Sequence, residues 1–247
     1  MIEETLLIDQ GNTRLKWMLA RDGELRMESA GQGDFKAFMR CCGTGGLDQP
    51  GSILLSSVAG SAAAQELSDF CESQWGLKAR RLTSARQGGG VRSGYADPES
   101  LGIDRWLAII GAVGRYGKPV VIWDLGTAAT LDAVDETGQH LGGMIYPGPA
   151  TMLRALGRDT KLGVPESLSS AGIEPGRSTV ACIQNGVLAA QLGALNQFLR
   201  NAPETLGGKP KLIVTGGAAG EILPLLDFEC IHDPWLVFRG MLTEGIR

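Results

Sequence analysis

A chain of 247 residues, 43% hydrophobic and 20% charged, carries enough apolar material for one large or two smaller cores, which excludes a disordered polymer. A formal net charge of −4 excludes broad binding along nucleic acid, where clustered Lys and Arg must neutralise phosphates. The opening Met-Ile-Glu-Glu-Thr lacks a signal peptide's basic flank and apolar stretch, and no apolar run nears the ~20 residues that cross a bilayer, so no membrane contact and a cytoplasmic location are expected.

Residues 6–25 begin as an apolar run ending at Asp9, followed by Gln10, Gly11, Asn12 and Thr13, a second run over 15–20, a turn at Asp22-Gly23 and a third run. This is a β-hairpin that opens on a carboxylate. Residues 43–51 are polar and glycine-bearing and predict a loop. A short strand over 52–58 follows, then a helix over 61–75, in which Ala64, Leu67, Phe70, Cys71 and Gln74 fall at helical spacing behind Ser61 as cap. Residues 77–82 predict another strand. The basic stretch Lys78, Arg80, Arg81, Arg86 and Arg92 reads either as a solvated face or as a collector of anionic substrate.

The loop Gly88-Gly89-Gly90 matches neither a dinucleotide fingerprint nor a P-loop. Apolar spacing from Trp106 onward predicts a helix of about ten to twelve residues with Asp104 in its first turn. That acid has two readings: it is stabilised by the helix dipole alone, or with Arg105 it orients a hydroxyl and holds a carboxylate.

The central stretch, 124–148, repeats the opening pattern. An apolar run ends at Asp124, Gly126 follows two residues later, then come Thr127 and Thr130, a turn at Thr137-Gly138 and a third run into Gly142-Gly143. From acid to turn glycine the offset is 23 − 9 = 14 in the first copy and 138 − 124 = 14 in the second. Repetition at about half the chain length predicts two related domains, each presenting one carboxylate-tipped hairpin, with the active site in the gap between them. Main-chain N–H groups and the Thr127 and Thr130 hydroxyls at such a tip suit an anion, phosphate first.

Beyond it, 151–156 reads as helical, and 158–161 with 165–176 as a polar lid or loop. Residues 179–199 form the longest helical stretch, with an apolar stripe suited to core or a subunit interface. After a turn-rich link over 201–210, a buried strand over 211–215 ends in Gly216-Gly217, and a helix over 221–226 follows. A glycine pair there admits a flat ligand or a phosphate, and is equally a tight connection. Two histidines, neither beside a second metal ligand, make a poor transition-metal site. The cysteines, Cys41, Cys42, Cys71, Cys182 and Cys230, are odd in number and show no Cys-x-x-Cys spacing, which suits reduced thiols.

Taken in order, Asp9-Gln-Gly11-Asn12-Thr13 with Lys16, Tyr95-x-x-Pro98-x-x-Leu101-Gly102-x-Asp104-Arg105, Asp124-x-Gly126-Thr127-Ala-x-Thr130-x-Asp132 with Gly142-Gly143 and Pro147-Gly148, and Thr215-Gly216-Gly217 resemble the motifs of type III pantothenate kinases. The resemblance implies an α/β fold of two duplicated ribonuclease H-like domains of the acetate and sugar kinase, Hsp70 and actin type, with the active-site cleft between them. Their expected bounds are 1–115 and 116–247.

It further implies ATP-dependent phosphorylation of pantothenate to 4′-phosphopantothenate, the first step of coenzyme A synthesis, by a homodimer using Mg2+ and K+ or NH4+. By the same resemblance Asp9, Gly11, Asn12, Thr13 and Lys16 form the first phosphate loop, with Asp9 helping to hold magnesium through water. Gly126, Thr127 and Thr130 form the second, Asp124 holds the monovalent cation, and Gly216 and Gly217 lie under the adenosine. Asp104 matches the catalytic base, and Tyr95, Gly102, Arg105 and Thr179 match the pantothenate pocket. The 157–165 segment follows the family pattern only partly. Rival readings are a kinase or phosphatase of the same superfamily acting on another small molecule, and a transcriptional accessory factor without kinase activity.

Overall fold

A computed structural model of the chain describes residues 4–43, 45–168, 171–201, 206–226 and 229–245. Its contacts divide into two compact units, Met1–Arg115 with Trp235–Arg247, and Tyr116–Pro234.

In the first unit, β1 (Glu4–Gln10), β2 (Leu15–Arg21) and β3 (Glu24–Gly33) form an antiparallel meander, and β4 (Ser52–Ser57) and β5 (Arg80–Arg81) extend it in parallel. The spatial order is β3-β2-β1-β4-β5. The β2–β3 loop has two residues, Asp22 and Gly23, with φ of 53° and 79°, and a turn of that hand matches the twist of the strands it joins. Alternation along β1 and β2 sends Leu6, Ile8, Leu15, Trp17 and Leu19 to one face. There they pack with Phe38 of the helix Phe35–Gly43 and with Leu67 and Cys71 of the helix Ser61–Trp75. Trp17, Phe70 and Trp75 each meet Phe38 edge to face.

A small ribbon, β6 (Gln87–Gly88) and β7 (Val91–Arg92), turns at Gly89 and Gly90 and leads through the short 3-10 turn Pro98–Ser100 to the helix Ile103–Tyr116. The C-terminal helix Leu236–Gly245 packs against that helix. A Cβ on Gly240 would lie 2.0 Å from the Leu107 carbonyl oxygen, and one on Gly111 would lie 2.3 Å from that of Leu236.

The second unit repeats the plan. Strands β8 (Val120–Leu125), β9 (Ala128–Val134) and β10 (His140–Pro147) form the meander, β11 (Lys211–Thr215) and β12 (Ile231–His232) add in parallel, and the order is β10-β9-β8-β11-β12. Val121, Trp123, Leu125 and Leu131 pack under the helices Pro149–Asp159 and Thr179–Asn201 through Leu153, Val187, Leu188 and Leu195. Asp132 and His140, both buried, meet at 2.9 Å within the β9–β10 hairpin, so neither is left unpaired.

Several expectations are corrected. The helix at 61 has no serine cap: Gly60, at φ 91°, precedes it without a side-chain cap bond. The strand expected over 77–82 pairs only at Arg80–Arg81, and the triple-glycine loop is the turn of the β6–β7 ribbon. The helix expected from Trp106 starts at Ile103, that expected over 151–156 is Pro149–Asp159, and that expected over 221–226 is the single turn Ala219–Ile222 followed by the 3-10 turn Leu223–Leu225. The helix Phe35–Gly43 was not foreseen. Although the 116–247 half was expected to include the C-terminus, the last helix packs with the first unit. Parts of the expected lid (169–170) and of the expected link (202–205) lie outside the described residues. Among the described residues no cysteine forms a disulfide, and burial pushes the Cys42 and Cys71 thiols up to about 12, which keeps them protonated.

Candidate active site

The parallel and antiparallel neighbours of β1 set three side chains in a row. Asp9 registers with Lys16 on β2 and with Ser56 on β4. The fully buried Ser56 donates its hydroxyl to Asp9 Oδ1 at 3.0 Å. Burial pushes the Asp9 carboxyl up from 3.8 to about 6; Lys16 opposes the shift, Asp104 adds to it by repulsion, and the Ser56 bond lowers it. Asp9 and Asp104, 95 residues apart in sequence, are therefore within electrostatic reach of each other in the first unit. Gly11, Asn12 and Thr13 form the turn beyond Asp9, closed by the Gly11 N–H donating to the Arg14 carbonyl at 3.0 Å.

Asp104 stands in the first turn of the helix Ile103–Tyr116, half-buried, with Oδ1 accepting the Arg105 backbone N–H at 2.8 Å. Gly102 supplies the room for this carboxylate, since a Cβ there would lie 2.8 Å from Asp104 Oδ1. The group that this glycine lets approach the backbone is the aspartate two residues on. Arg105 is buried, donates from Nη1 to the Tyr95 hydroxyl at 2.8 Å, and holds its guanidinium carbon 5.7 Å from the Tyr95 ring centre. A braced guanidinium beside a carboxylate can fix an anionic end of a substrate and leave the acid to a hydroxyl.

The second unit carries the matching row: Asp124 on β8 registers with Thr130 on β9 and with Thr215 on β11. Two glycines make room around Asp124. Gly216 has φ 94° and an added Cβ would meet Asp124 Oδ1 and the Leu125 nitrogen at 2.5 Å, while one on Gly126 would meet Asp124 Oδ1 at 3.4 Å. Gly217 is exposed, with nothing within 4 Å of an added Cβ.

The hairpin tip is clamped from behind. The Gly148 N–H and the Thr151 hydroxyl both donate to the Thr127 carbonyl, at 3.1 and 2.6 Å, and Gly148 backs so closely on Gly126 that a Cβ would fall 2.0 Å from its carbonyl oxygen. Thr179 begins the helix Thr179–Asn201, exposed, on the wall of a groove of about 1090 Å³ lined also by Thr151, Met152, Ile183 and Val187.

The first unit thus brings together Asp9, Lys16 and Asp104, and braces Arg105 with Tyr95. The second gathers Asp124, Gly126, Thr130 and Gly216, and Thr179 lines a groove that it shares with Thr151. Sequence reasoning missed Ser56 and Thr151. A serine ending a strand carries no signal of its own, but the repeat held one, since Ser56 takes the place beside Asp9 that Thr215 takes beside Asp124.

The family model for type III pantothenate kinase matches residues 5–201. The chain is 33% identical over 245 residues to a type III pantothenate kinase from Alcanivorax borkumensis, covering 98% of each chain, and 35% identical over 250 residues to one from Halorhodospira halophila, covering 96% of each. A solved structure described as a Baf family transcriptional activator from Campylobacter jejuni covers 98% of both chains with a TM-score of 0.61 and 20% identity, a likeness of fold. The fold is the duplicated ribonuclease H-like architecture of the acetate and sugar kinase, Hsp70 and actin type, each unit carrying one five-stranded sheet of the same order. With a family model matched over most of its length and relatives a third identical from end to end, the chain belongs to the type III pantothenate kinase family.

Proposed function

We propose that the protein transfers the γ-phosphoryl group of ATP to the primary hydroxyl of pantothenate, giving 4′-phosphopantothenate and ADP, in the cytoplasm and as a homodimer. The observation that carries this reading is Asp104, seated at the head of a helix beside a braced Arg105 and in electrostatic reach of Asp9. The substrate oxygen attacks phosphorus, its proton passes to Asp104, and the bond to the ADP oxygen breaks. Phosphoryl transfer asks the protein mainly for alignment and charge neutralisation. Arg105 and Tyr95 hold the acid end of pantothenate beside Gly102, and Thr179 is assigned to the same substrate by the family resemblance.

Each unit acts as one actin-like half. Asp9, Gly11, Asn12, Thr13 and Lys16 take the phosphates from one hairpin, Gly126, Thr127 and Thr130 from the other, and Gly216 and Gly217 lie against the adenosine. The donor set fits the cations of this reading. An enclosed carboxylate whose proton affinity is raised by burial and by a second acid gains from a hard divalent ion, so Asp9 holds hydrated magnesium, and Asp124, with glycines leaving space at its oxygen, holds potassium or ammonium. These cations supply the positive charge that the triphosphate needs. Leu162, Ile173 and Val180 are exposed apolar side chains of the second unit and suit cover by a second copy.

The test is ADP release by purified protein with pantothenate as the only acceptor, with the product identified by mass. Turnover is expected, and replacing potassium by sodium should slow it sharply. Turnover of another small alcohol but not of pantothenate would move the substrate assignment. A gel shift on DNA surviving moderate salt, together with no phosphoryl transfer, would favour the accessory-factor reading instead.

A further inference from the structure

We infer that Ser56 is a positioning residue for Asp9, fixing that carboxylate so that it can receive a hydrated divalent cation; the inference rests on the kinase reading above. Three features carry it. Ser56 is wholly buried and donates to one Asp9 oxygen at 3.0 Å, so one end of the carboxylate is committed to the protein. Lys16, the neighbour on the opposite strand, is only half-buried and is assigned to the phosphates in that reading, which leaves Ser56 as the restraint that stays with the protein.

The strand that carries Ser56 is itself tied down. The next residue, Ser57, donates to Gln10 Oε1 at 2.8 Å, and Gln10 Nε2 donates to the Ala63 carbonyl at 3.3 Å in the helix Ser61–Trp75. Adjacent serines on β4 thus serve opposite faces: Ser57 locks the end of β1 to a helix, and Ser56 orients the acid on β1. The second unit sets another hydroxyl residue, Thr215, in the same strand register with Asp124. Hydrogen-bond partners that orient a cation-binding carboxylate typically matter by 10–100-fold in metal affinity.

The test compares wild type with Ser56→Ala, Ser56→Cys and Ser57→Ala in the full chain. The readout is Mn2+ bound to the protein–ADP complex, titrated by electron paramagnetic resonance. Ser56→Ala is expected to weaken Mn2+ about tenfold and to raise the Mg2+ concentration for half-maximal rate, with KM for pantothenate unchanged. Ser56→Cys, of similar size and a weaker donor, should fall between. Ser57→Ala should lower the melting temperature and leave Mn2+ affinity alone.

Unchanged Mn2+ affinity in folded Ser56→Ala overturns the inference, as does an equal loss in Ser57→Ala, which would mean general loosening of β4. Should Ser56→Ala fail to fold, unchanged affinity in Ser56→Cys overturns it equally. Absence of pantothenate phosphorylation by wild type would sink the kinase reading while leaving the Mn2+ comparison valid.

Discussion

Ionising Asp9 costs free energy because the first unit encloses its carboxyl and places Asp104 within reach, while Lys16 and Ser56 return only part of that cost. The folded protein therefore holds this proton more tightly than the unfolded chain does. A raised carboxyl pKa favours folding fully below the unfolded value of 3.8, and that contribution is lost as pH rises through about 6. Two units correspond to about 3 kcal/mol, reduced to roughly 1–2 kcal/mol because the residue keeps some solvent contact. Asp9→Asn should thus stabilise the ligand-free protein against urea at pH 8, and the gain should vanish near pH 4. Equal stabilisation at both pH values would contradict the assignment.

Asp104→Asn keeps the shape of the side chain and removes the carboxylate proposed as the base. Turnover should fall by about 10²–10⁴-fold with nucleotide binding intact, measured by ADP release and by calorimetry. Both acids were legible in the sequence because each punctuates an element, one ending a strand and one opening a helix. Ser56 was not, since its meaning depends on a strand partner 47 residues away.

At the scale of elements, the glycines around Asp124 separate necessity from convenience. Gly216 adopts φ 94° with Asp124 Oδ1 and the Leu125 nitrogen 2.5 Å from where a Cβ would stand, whereas its neighbour Gly217 faces open space. Gly216→Ala should cost about 1–3 kcal/mol of stability and abolish nucleotide binding, and Gly217→Ala should leave stability nearly unchanged. Melting curves with and without ATP check both, and similar behaviour of the two variants would contradict the geometry. The hairpins could be read from the sequence because apolar runs, an acid and a turn glycine fall at fixed offsets in both copies.

Elements whose limits depend on partners were less legible. Within the 77–82 segment the strand is only Arg80–Arg81, in register with Leu54 and Leu55 of β4, and the Leu82 N–H adds one bond to the Leu55 carbonyl. The helix after Gly102 begins at Ile103, three residues before the expected Trp106, and Ile103 is already buried.

For the whole molecule, the chain leaves its first unit near residue 115, builds the second, and returns with the helix Leu236–Gly245. Its apolar residues predicted burial but could not name the surface. The partner is set instead by absent side chains: Gly240 presses on the Leu107 carbonyl and Gly111 on Leu236, so two helices meet backbone to backbone. Any larger side chain at 240 must push the helices apart. Gly240→Val should therefore cost at least about 2 kcal/mol, lowering the melting temperature by roughly 4–8 °C or more in a chain of this size. The control is Gly193→Ala in the helix Thr179–Asn201, where nothing lies within 4 Å of the new methyl and loss of glycine's backbone freedom should stabilise by about 0.5–1 kcal/mol. Hydrogen exchange then locates the damage. Loss of amide protection in Gly240→Val should fall on β1, β4 and the helix Ile103–Tyr116, all of the unit that the last helix rejoins, and loss confined to β8 to β12 would place that helix wrongly.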